Sequence, residues 1–363
     1  MRRAALILGG GPAGAAAAIT LARAGADPLV IERTRETGDA LCGGFLSWRT
    51  LETLGRLGID VDTLNPARVT RVRLFARGRV VETRLPAAAI GVSRARLDAV
   101  LLDHAIACGA AVERGVAARA VEDGAVRTAD GATLDAAALF LANGKHDVRG
   151  LARPAEARGR DPTLGLRTRR GPTPALTRAI GDAIELHLFD RGYAGIVMQE
   201  DGSANICLAV HRSRLTEAGD ATRLLALLSG ESPALGDRLA AAGATAIEAI
   251  ANVPYGWRAR QGVAGLFRLG DQAAVIPSLA GEGMGIALAS GGSAAQAWLR
   301  DGSAGAAAWQ VRFAAQAARP LAVAAAVRAI AERPAAFAAF LPLAARLGLI
   351  DAVAAATRID DRR

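Results

Sequence analysis

A glycine pattern near the start of the chain has the spacing of a phosphate-binding turn. Gly9, Gly11 and Gly14 follow an apolar run and precede an alanine-rich segment. In a strand–turn–helix unit, these glycines permit a tight turn, a close approach of a pyrophosphate to the backbone and close packing of the helix on the strand. The unpaired N–H groups of the helix N-terminus would face the phosphates. The pattern predicts a dinucleotide site that includes Pro12 and Ala13.

An acidic residue lies where this site needs a group that binds ribose. A second apolar run, 28–31, ends at Glu32, which follows Gly14 by 32 − 14 = 18 positions. That spacing is close to the ~20 residues expected for a carboxylate on the ribose hydroxyls. Because both strands, the helix and the acid are present, we interpret residues 4–32 as a βαβ dinucleotide-binding unit. A glycine-rich turn without a ligand is the alternative.

Two more glycine-rich sites follow predicted strands much later in the chain. Asn143-Gly144 comes after the apolar run 139–141, and Gly270-Asp271 comes after the run 266–269. A glycine loop, 281–285, then opens a predicted helix that extends to residue 299. A helix opened by glycines presents backbone N–H groups with no side chain in the way, which suits a ligand that gains negative charge. A tight turn before a helix is the alternative.

The elements between these sites alternate between helical and strand patterns. Helices are predicted over 47–57 and 96–108, and a hairpin over 69–85. Strands predominate over 163–210, and alanine-rich helices follow residue 285. We predict an α/β fold with a Rossmann-like dinucleotide domain (1–68, 90–160 and 258–300), an inserted antiparallel β-sheet substrate domain (69–89 and 161–257) and C-terminal helices (301–363).

Composition narrows the class of protein and its partners. The 363 residues are 52% hydrophobic and 22% charged, and the net charge is +9. Lys145 is the only lysine among 44 basic residues, and the arginines are spread along the chain without a basic run, which argues against nucleic acid as a partner. No uninterrupted apolar stretch reaches the length of a membrane span, so we expect at most peripheral membrane contact.

Cysteine usage indicates the compartment. Cys42, Cys108 and Cys207 are an odd number without CxxC spacing. This pattern argues against a disulfide framework or a metal site and favours a reducing cytoplasm. We expect Cys108 and Cys207 to be packing residues.

Taken together, the three glycine-rich sites resemble those of the flavoprotein superfamily of p-hydroxybenzoate hydroxylase-like monooxygenases and geranylgeranyl reductases. The resemblance covers most of residues 1–300, because the motifs occur in the same order and at similar separations. It implies a glutathione reductase-like fold and FAD as the bound nucleotide. NAD(P)H is implied as a transient electron donor, since the sequence holds no second dinucleotide pattern.

The resemblance also implies individual FAD ligands. Glu32 would hold the adenosine ribose, Arg94 would lie near the flavin and its phosphates, and Asp271 would bind the ribityl hydroxyls. The loop after Pro277 would lie under the isoalloxazine ring. The full implied set is Gly9, Gly11, Pro12, Ala13, Gly14, Glu32, Arg33, Cys42, Gly43, Arg94, Asn143, Gly144, Asp271, Pro277, Gly281, Gly283, Met284 and Gly285.

The reaction is left open by departures from both branches. Asn143 stands where the hydroxylases carry Asp, and the histidine of their Gly-Asp-Ala-Ala-His motif is missing from residues 270–275. Cys42-Gly43-Gly44 resembles the reductases, whose aromatic substrate motif is only half present at Gly192-Tyr193. We favour a flavin monooxygenase that hydroxylates or oxidises a lipophilic aromatic or polyketide-like molecule. The alternatives are reduction of prenyl double bonds and a flavin- or lipid-binding protein without turnover.

Four residues are candidates for catalysis or substrate contact. Cys42 is either a thiol near the flavin or a small packing residue. His187 lies on a strand of the predicted substrate sheet, opposite its neighbours Leu186 and Leu188, and could be a pocket residue. Tyr193 and Trp257 could line a hydrophobic cavity, although core packing is the default interpretation of Trp257. The oligomeric state stays open.

Overall fold

The described part of the chain, residues 3–122, 124–339 and 349–359 of a computed structural model, forms three β-sheets with helices around them. The strands are β1 (Arg3–Leu8), β2 (Leu29–Glu32), β3 (Phe45–Leu46), β4 (Val69–Ala76), β5 (Arg79–Gly91), β6 (Ala111–Arg114), β7 (Ala118–Glu122), β8 (Ala125–Thr128), β9 (Thr133–Leu134), β10 (Ala136–Leu141), β11 (Thr163–Arg170), β12 (Ala183–Phe189), β13 (Gly192–Met198), β14 (Ala204–His211), β15 (Glu248–Val253) and β16 (Leu266–Arg268).

Eleven labelled helices complete the described elements. They are α1 (Pro12–Arg23), α2 (Trp48–Arg56), α3 (Arg94–Ala107), α4 (Pro174–Ile180), α5 (Arg212–Ala218), α6 (Ala221–Glu231), α7 (Pro233–Leu239), α8 (Gly283–Asp301), α9 (Gly305–Gln316), α10 (Ala318–Ala331) and α11 (Leu349–Ala356). Residues 334–339 are also helical, and short 3-10 turns include Gly270–Gln272 and Ser278–Ala280.

A five-stranded parallel sheet confirms the predicted Rossmann-like unit. Its strand order is β16-β10-β1-β2-β6, and every neighbouring pair is parallel. The alanine-rich α1 lies between this sheet and α8, where small side chains allow close approach. A Cβ at Gly14 would lie 1.9 Å from the carbonyl oxygen of Gly9, and a Cβ at Gly291 would lie 2.2 Å from that of Ala13. This close packing brings the N-termini of α1 and α8 to one side of the sheet.

The inserted sheet has eight strands in the order β15-β11-β14-β13-β12-β4-β5-β3. The predicted hairpin is confirmed as β4 and β5, and all pairs are antiparallel except β12 with β4. The sequence patterns missed β15, β6 and the short helix α4. The domain boundaries stay predictions, since sheet membership shows only which strands associate.

The helices after β16 return to the two sheets. By length and apolar composition alone, the helical run Gly283–Ala331 would pass for a membrane span. That run is three helices, of which α8 packs along α1, so it is weak evidence for a membrane segment. The residues after α11 lie against the loop before α8, because Arg358 hydrogen-bonds the carbonyl oxygen of Ala280.

Candidate active site

The N-terminus of α1 forms the first pole of the site. Its N-cap, Gly11, supplies no side-chain cap, so the first N–H groups of the helix stay open to a ligand. Glu32 lies beside this turn, because its carboxylate accepts hydrogen bonds from the Gly10 N–H at 2.9 Å and the Thr34 N–H at 3.0 Å. The carboxylate is thereby fixed next to the phosphate-binding turn, as a ribose ligand would require.

A partly buried ion pair brings a guanidinium group to the same pole. Arg94 donates hydrogen bonds to both carboxylate oxygens of Asp98, at 2.7 and 2.5 Å. A Cβ at Gly11 would lie 3.2 Å from the Arg94 guanidinium, which shows how close the arginine is to the turn. Burial lowers the pKa of Arg94, but Asp98, Cys42 and Asp271 more than offset it, so the guanidinium stays charged.

The N-terminus of α8 forms the second pole. Gly281 adopts a left-handed conformation (φ +63°), and a Cβ there would lie 2.8 Å from the ring of Phe45. The helix begins at Gly283 without a side-chain cap. Its open N–H groups can therefore stabilise negative charge on a bound ligand.

Both poles open into one cavity of about 450 Å³. Eleven of the implied FAD ligands line it, namely Gly11, Pro12, Ala13, Cys42, Gly43, Arg94, Gly144, Asp271, Gly281, Gly283 and Met284. Seven lie outside its lining, namely Gly9, Gly14, Glu32, Arg33, Asn143, Pro277 and Gly285. Gly9 and Gly14 act through backbone packing. Glu32 and Arg33, which the resemblance assigns to the adenosine, lie beyond this cavity.

Side chains from elsewhere in the chain hold the loop before β3 by hydrogen bonds to the carbonyl oxygens of residues 39–43. Arg167 binds the carbonyl oxygens of residues 39 and 40, and Asn205 binds those of Cys42 and Gly43. Lys145 binds the carbonyl oxygen of Leu41 at 3.1 Å. This loop therefore has one fixed conformation beside the cavity.

The residues of the two poles fit an FAD molecule. Two uncapped helix N-termini, one arginine and one aspartate face a single cavity, and a Cβ at Gly11 would fill part of it. Backbone N–H groups and a guanidinium suit a pyrophosphate, and a carboxylate such as Asp271 suits hydroxyl groups.

A cluster of hydroxyl groups lies beside the second pole. The Tyr193 hydroxyl is 2.7 Å from the Ser278 Oγ and accepts a hydrogen bond from the Leu279 N–H at 3.0 Å. Tyr255 donates to the Ser278 Oγ at 2.8 Å. Burial raises the pKa of both tyrosines, so they keep their protons at neutral pH. Tyr193 thus lies in the cavity wall, and its contact with a substrate stays a prediction.

Lys145 is a cavity residue that the sequence analysis did not single out as a ligand. Among the described residues, its amine donates one hydrogen bond, to Leu41, and pairs with no carboxylate. Cys207 lines the same cavity, which corrects the expectation that it only packs in the core. Burial raises the pKa of Cys207 to about 12, so it stays a protonated thiol.

The remaining wall of the cavity is apolar. Alternate residues of β4 and β12 point to it from the sheet, and further side chains come from β5, α10, α11 and the helical residues 334–339. The largest of these side chains are Val72, Leu74, Leu85, Ile184, Leu186, Leu188, Val327, Ile330, Phe337 and Val353.

His187 lies outside the cavity, which corrects the interpretation of it as a pocket residue. The alternation along β12 is as predicted, but Leu186 and Leu188 face the cavity and His187 faces the other side of the sheet. There it stacks on Phe75 and lies 3.3 Å from the Glu185 carboxylate. Burial lowers the pKa of His187, so its ring is neutral at neutral pH.

Trp257 also lies outside the cavity lining, which corrects its interpretation as a substrate contact. Its indole N–H donates to the carbonyl oxygen of Gln272 at 3.4 Å. Asn143 holds the next turn, because its amide donates to the carbonyl oxygen of His146. Both residues therefore support the backbone around Asp271 and Gly144 and do not contact the cavity.

Comparison with known proteins identifies the cofactor domain. Residues 2–149 match the family described as "FAD binding domain". The chain is 29% identical over 314 residues to menaquinone reductase of Mycobacterium tuberculosis, a match that covers 80% of this chain and 75% of that protein. It is 36% identical over 115 residues to chloroplastic geranylgeranyl diphosphate reductase of Nicotiana tabacum. That match covers 30% of this chain and only 24% of the tobacco enzyme.

A solved structure shows the same fold. The probable FAD-dependent monooxygenase PqsL of Pseudomonas aeruginosa superposes with a TM-score of 0.73 at 18% identity, and the match covers 94% of this chain and all of that one. The glycine turns, the open helix N-termini and these matches agree with one another. Residues 2–149 therefore form an FAD binding domain, and the chain has the fold of the FAD-dependent monooxygenase PqsL.

Proposed function

We propose that this flavoprotein hydroxylates a phenol that carries a long hydrocarbon chain. The observation that carries the proposal is the presence of a few polar groups in a cavity whose walls are mostly apolar. Lys145, an ammonium group that pairs with no carboxylate of the described residues, and a cluster of hydroxyl groups lie among walls that are otherwise apolar. An amphiphilic substrate with one ionisable oxygen matches both features.

The apolar wall supports a hydrocarbon chain as part of the substrate. Side chains from β4, β5, β12, α10 and α11 present methyl and methylene groups to the cavity. Burial of each substrate CH₂ group contributes roughly 0.8 kcal/mol. A chain of several carbons therefore supplies most of the affinity, and the polar groups decide the orientation of the ring.

Lys145 supports an ionised oxygen on the substrate. An ammonium group in a cavity with few polar atoms favours the anionic form of a nearby acid. A phenolate ring is richer in electrons than a phenol ring, and transfer of an electrophilic oxygen atom requires an electron-rich ring. We infer that Lys145 holds the substrate oxygen and lowers the pKa of the bound phenol.

The hydroxyl cluster supports a role in positioning the substrate. Three hydroxyl groups, on Tyr193, Ser278 and Tyr255, form two links with one another and therefore use two of their three protons. Tyr193 accepts from a backbone N–H, which leaves one hydroxyl proton without a partner among the described residues. Since Tyr193 and Ser278 both line the cavity, this proton is available to a substrate oxygen.

FAD, when bound, would supply the redox chemistry, which consumes one dioxygen, two electrons and two protons, places one oxygen atom in the substrate and returns the other as water. We propose NAD(P)H as the transient electron donor and the cytoplasm as the compartment, with at most peripheral contact to a membrane that supplies the lipophilic substrate. The chain itself binds, orients and shields the substrate from water.

Reduction of prenyl double bonds is the second candidate. The relatives named as menaquinone reductase and geranylgeranyl diphosphate reductase support it. The same apolar walls would accept a prenyl chain. A prenylated quinone gives Lys145 no substrate anion to bind, which is why hydroxylation is preferred to reduction of such a quinone.

Product analysis with labelled dioxygen separates the candidates. The purified holoenzyme is incubated with NADPH, heavy-isotope dioxygen and either a long-chain alkylresorcinol or a prenylated quinone. We expect one labelled oxygen atom in the alkylresorcinol product, and much slower turnover of resorcinol that lacks the alkyl chain. Gain of two hydrogens per prenyl double bond, without label, would replace the proposal with the reductase. Oxidation of NADPH that yields only peroxide with every substrate would contradict both.

A further inference from the structure

A buried ion pair connects the end of the chain to the loop after Pro277 that leads into α8. We call this segment, residues 277–283, the flavin loop. Arg358 donates to the Glu282 carboxylate at 2.6 Å and to the carbonyl oxygen of Ala280 at 2.8 Å. The Glu282 side chain is 1% exposed and that of Arg358 is 8% exposed. Glu282 is the residue immediately before α8, so this pair joins two segments that lie 76 residues apart in the sequence.

Residues from other parts of the chain surround the ion pair and hold it in place. The Glu282 carboxylate also accepts a hydrogen bond from the Ser47 Oγ at 3.0 Å, and the Arg358 guanidinium lies 4.8 Å from the ring centroid of Trp48. A Cβ at Gly285 would lie 2.4 Å from the carboxylate, so glycine at this position makes room for it. Burial raises the pKa of Glu282, and Arg358 and Ser47 oppose that rise.

The segment that Arg358 anchors is a wall of the substrate cavity. Val353, Ala354, Thr357 and Arg358 all line it. The wall is therefore attached on the flavin-loop side by one buried, charged contact.

We propose that Arg358 is a positioning residue that latches α11 over the substrate cavity and makes closure of the cavity depend on the flavin loop. FAD that orders the loop around Gly281 and Gly283 fixes Glu282, and Glu282 holds Arg358. By thermodynamic reciprocity, closure of α11 then strengthens the binding of FAD. The inference rests on FAD binding and not on the identity of the substrate.

Hydrogen exchange of the full chain tests this latch directly. In the wild-type protein, FAD should slow exchange of amides in 352–359 by about tenfold or more, because exchange follows the opening of this segment. In Arg358→Met the exchange should be fast with and without FAD. Arg358→Lys, which keeps the charge but loses the fork of donors, should restore part of the protection. The matched control is Arg333→Met, since Arg333 is exposed and outside the cavity lining.

A second measurement distinguishes a latch from general destabilisation. Quenching of flavin fluorescence by iodide should increase several-fold in Arg358→Met and in Glu282→Gln, and the double variant should match either single variant. Protection of the β1 and β10 amides should stay as in the wild type, which verifies the fold. FAD-dependent protection of 352–359 that persists in Arg358→Met, with unchanged quenching, would overturn the proposal.

Discussion

The cofactor half and the substrate half of the cavity are built in different ways. The cofactor half consists largely of backbone, with glycine turns at Gly11 and Gly281 and two helix N-termini without side-chain caps. The substrate half consists of side chains from the strands of the inserted sheet and from the C-terminal helices. Backbone sites depend on local sequence and bind a group common to many enzymes, whereas side-chain walls depend on distant packing and determine the particular substrate.

The largest effect should come from filling the space that a glycine leaves in the cofactor half. In Gly14→Ala the new Cβ would lie 1.9 Å from the Gly9 carbonyl oxygen, so α1 must move away from the turn. Overpacking of this kind costs about 3 kcal/mol, which corresponds to a loss of FAD affinity of roughly 100-fold. Fluorescence titration with FAD measures it.

The matched control for this change lies in another helix. Gly55 has nothing within 4 Å of a new Cβ and does not have positive φ. Gly55→Ala should leave FAD affinity unchanged. Equal losses of FAD affinity in both variants would show that the glycine turn is not the source of the effect.

The second prediction concerns Glu185, on the face of the inserted sheet that points away from the cavity. It tests whether this face contributes only to stability. Burial raises the pKa of Glu185, but hydrogen bonds from His187 and Arg238 more than offset it and hold the pKa at about 2, below the usual 4.5. Because the folded-state pKa is lowered, the stabilisation is present above pH 4.5 and is lost as the pH falls towards 2. A shift of this size corresponds to about 3 kcal/mol.

Glu185→Gln should therefore lower the free energy of unfolding by about 3 kcal/mol at neutral pH, with a smaller difference from the wild type below pH 4.5. Urea unfolding at several pH values measures this. FAD affinity and the KM for substrate should stay within about twofold in the folded variant, because Glu185 faces away from the cavity. A large change in KM would show that the two faces are coupled.

Leu186, the neighbour of Glu185 on the cavity face, should affect the KM for substrate more than the free energy of unfolding. Leu186→Ala removes methyl groups from the wall that would contact the hydrocarbon chain. The KM for a long-chain phenol should increase about tenfold, since lost apolar contact of this size is worth about 1–2 kcal/mol. The KM for the same phenol without its chain should not change. An equal change in KM for both phenols would show that the hydrocarbon chain does not bind at Leu186.

The same contrast explains what could be predicted from the sequence. The turn at Gly9 to Gly14 and the acid at Glu32 follow from local spacing, and the structure places them together. The alternation along β12 also predicted that His187 and Leu186 point in opposite directions. It could not predict which face borders the cavity, because α4 and α7 cover one face only in the folded protein.

Contacts between distant residues were beyond the sequence patterns altogether. The Glu282–Arg358 pair joins a loop to the far end of the chain, and neither residue has a neighbouring motif that indicates its partner. Lys145 could have been noticed as the only lysine in an arginine-rich chain, but composition does not give its position in the cavity. The locations of these three side chains depend on tertiary packing, which local sequence patterns do not encode.

The claim that Lys145 holds an ionised phenol is tested most directly by the pKa of a bound chromophore. A long-chain nitrophenol is titrated spectrophotometrically, free and bound to the FAD-loaded enzyme, in the wild type and in Lys145→Met. We expect binding to the wild type to lower the pKa of the phenol by about one unit or more, and binding to Lys145→Met to raise it, since only desolvation would then remain. A nitrophenol pKa that is raised equally in both proteins would contradict the account.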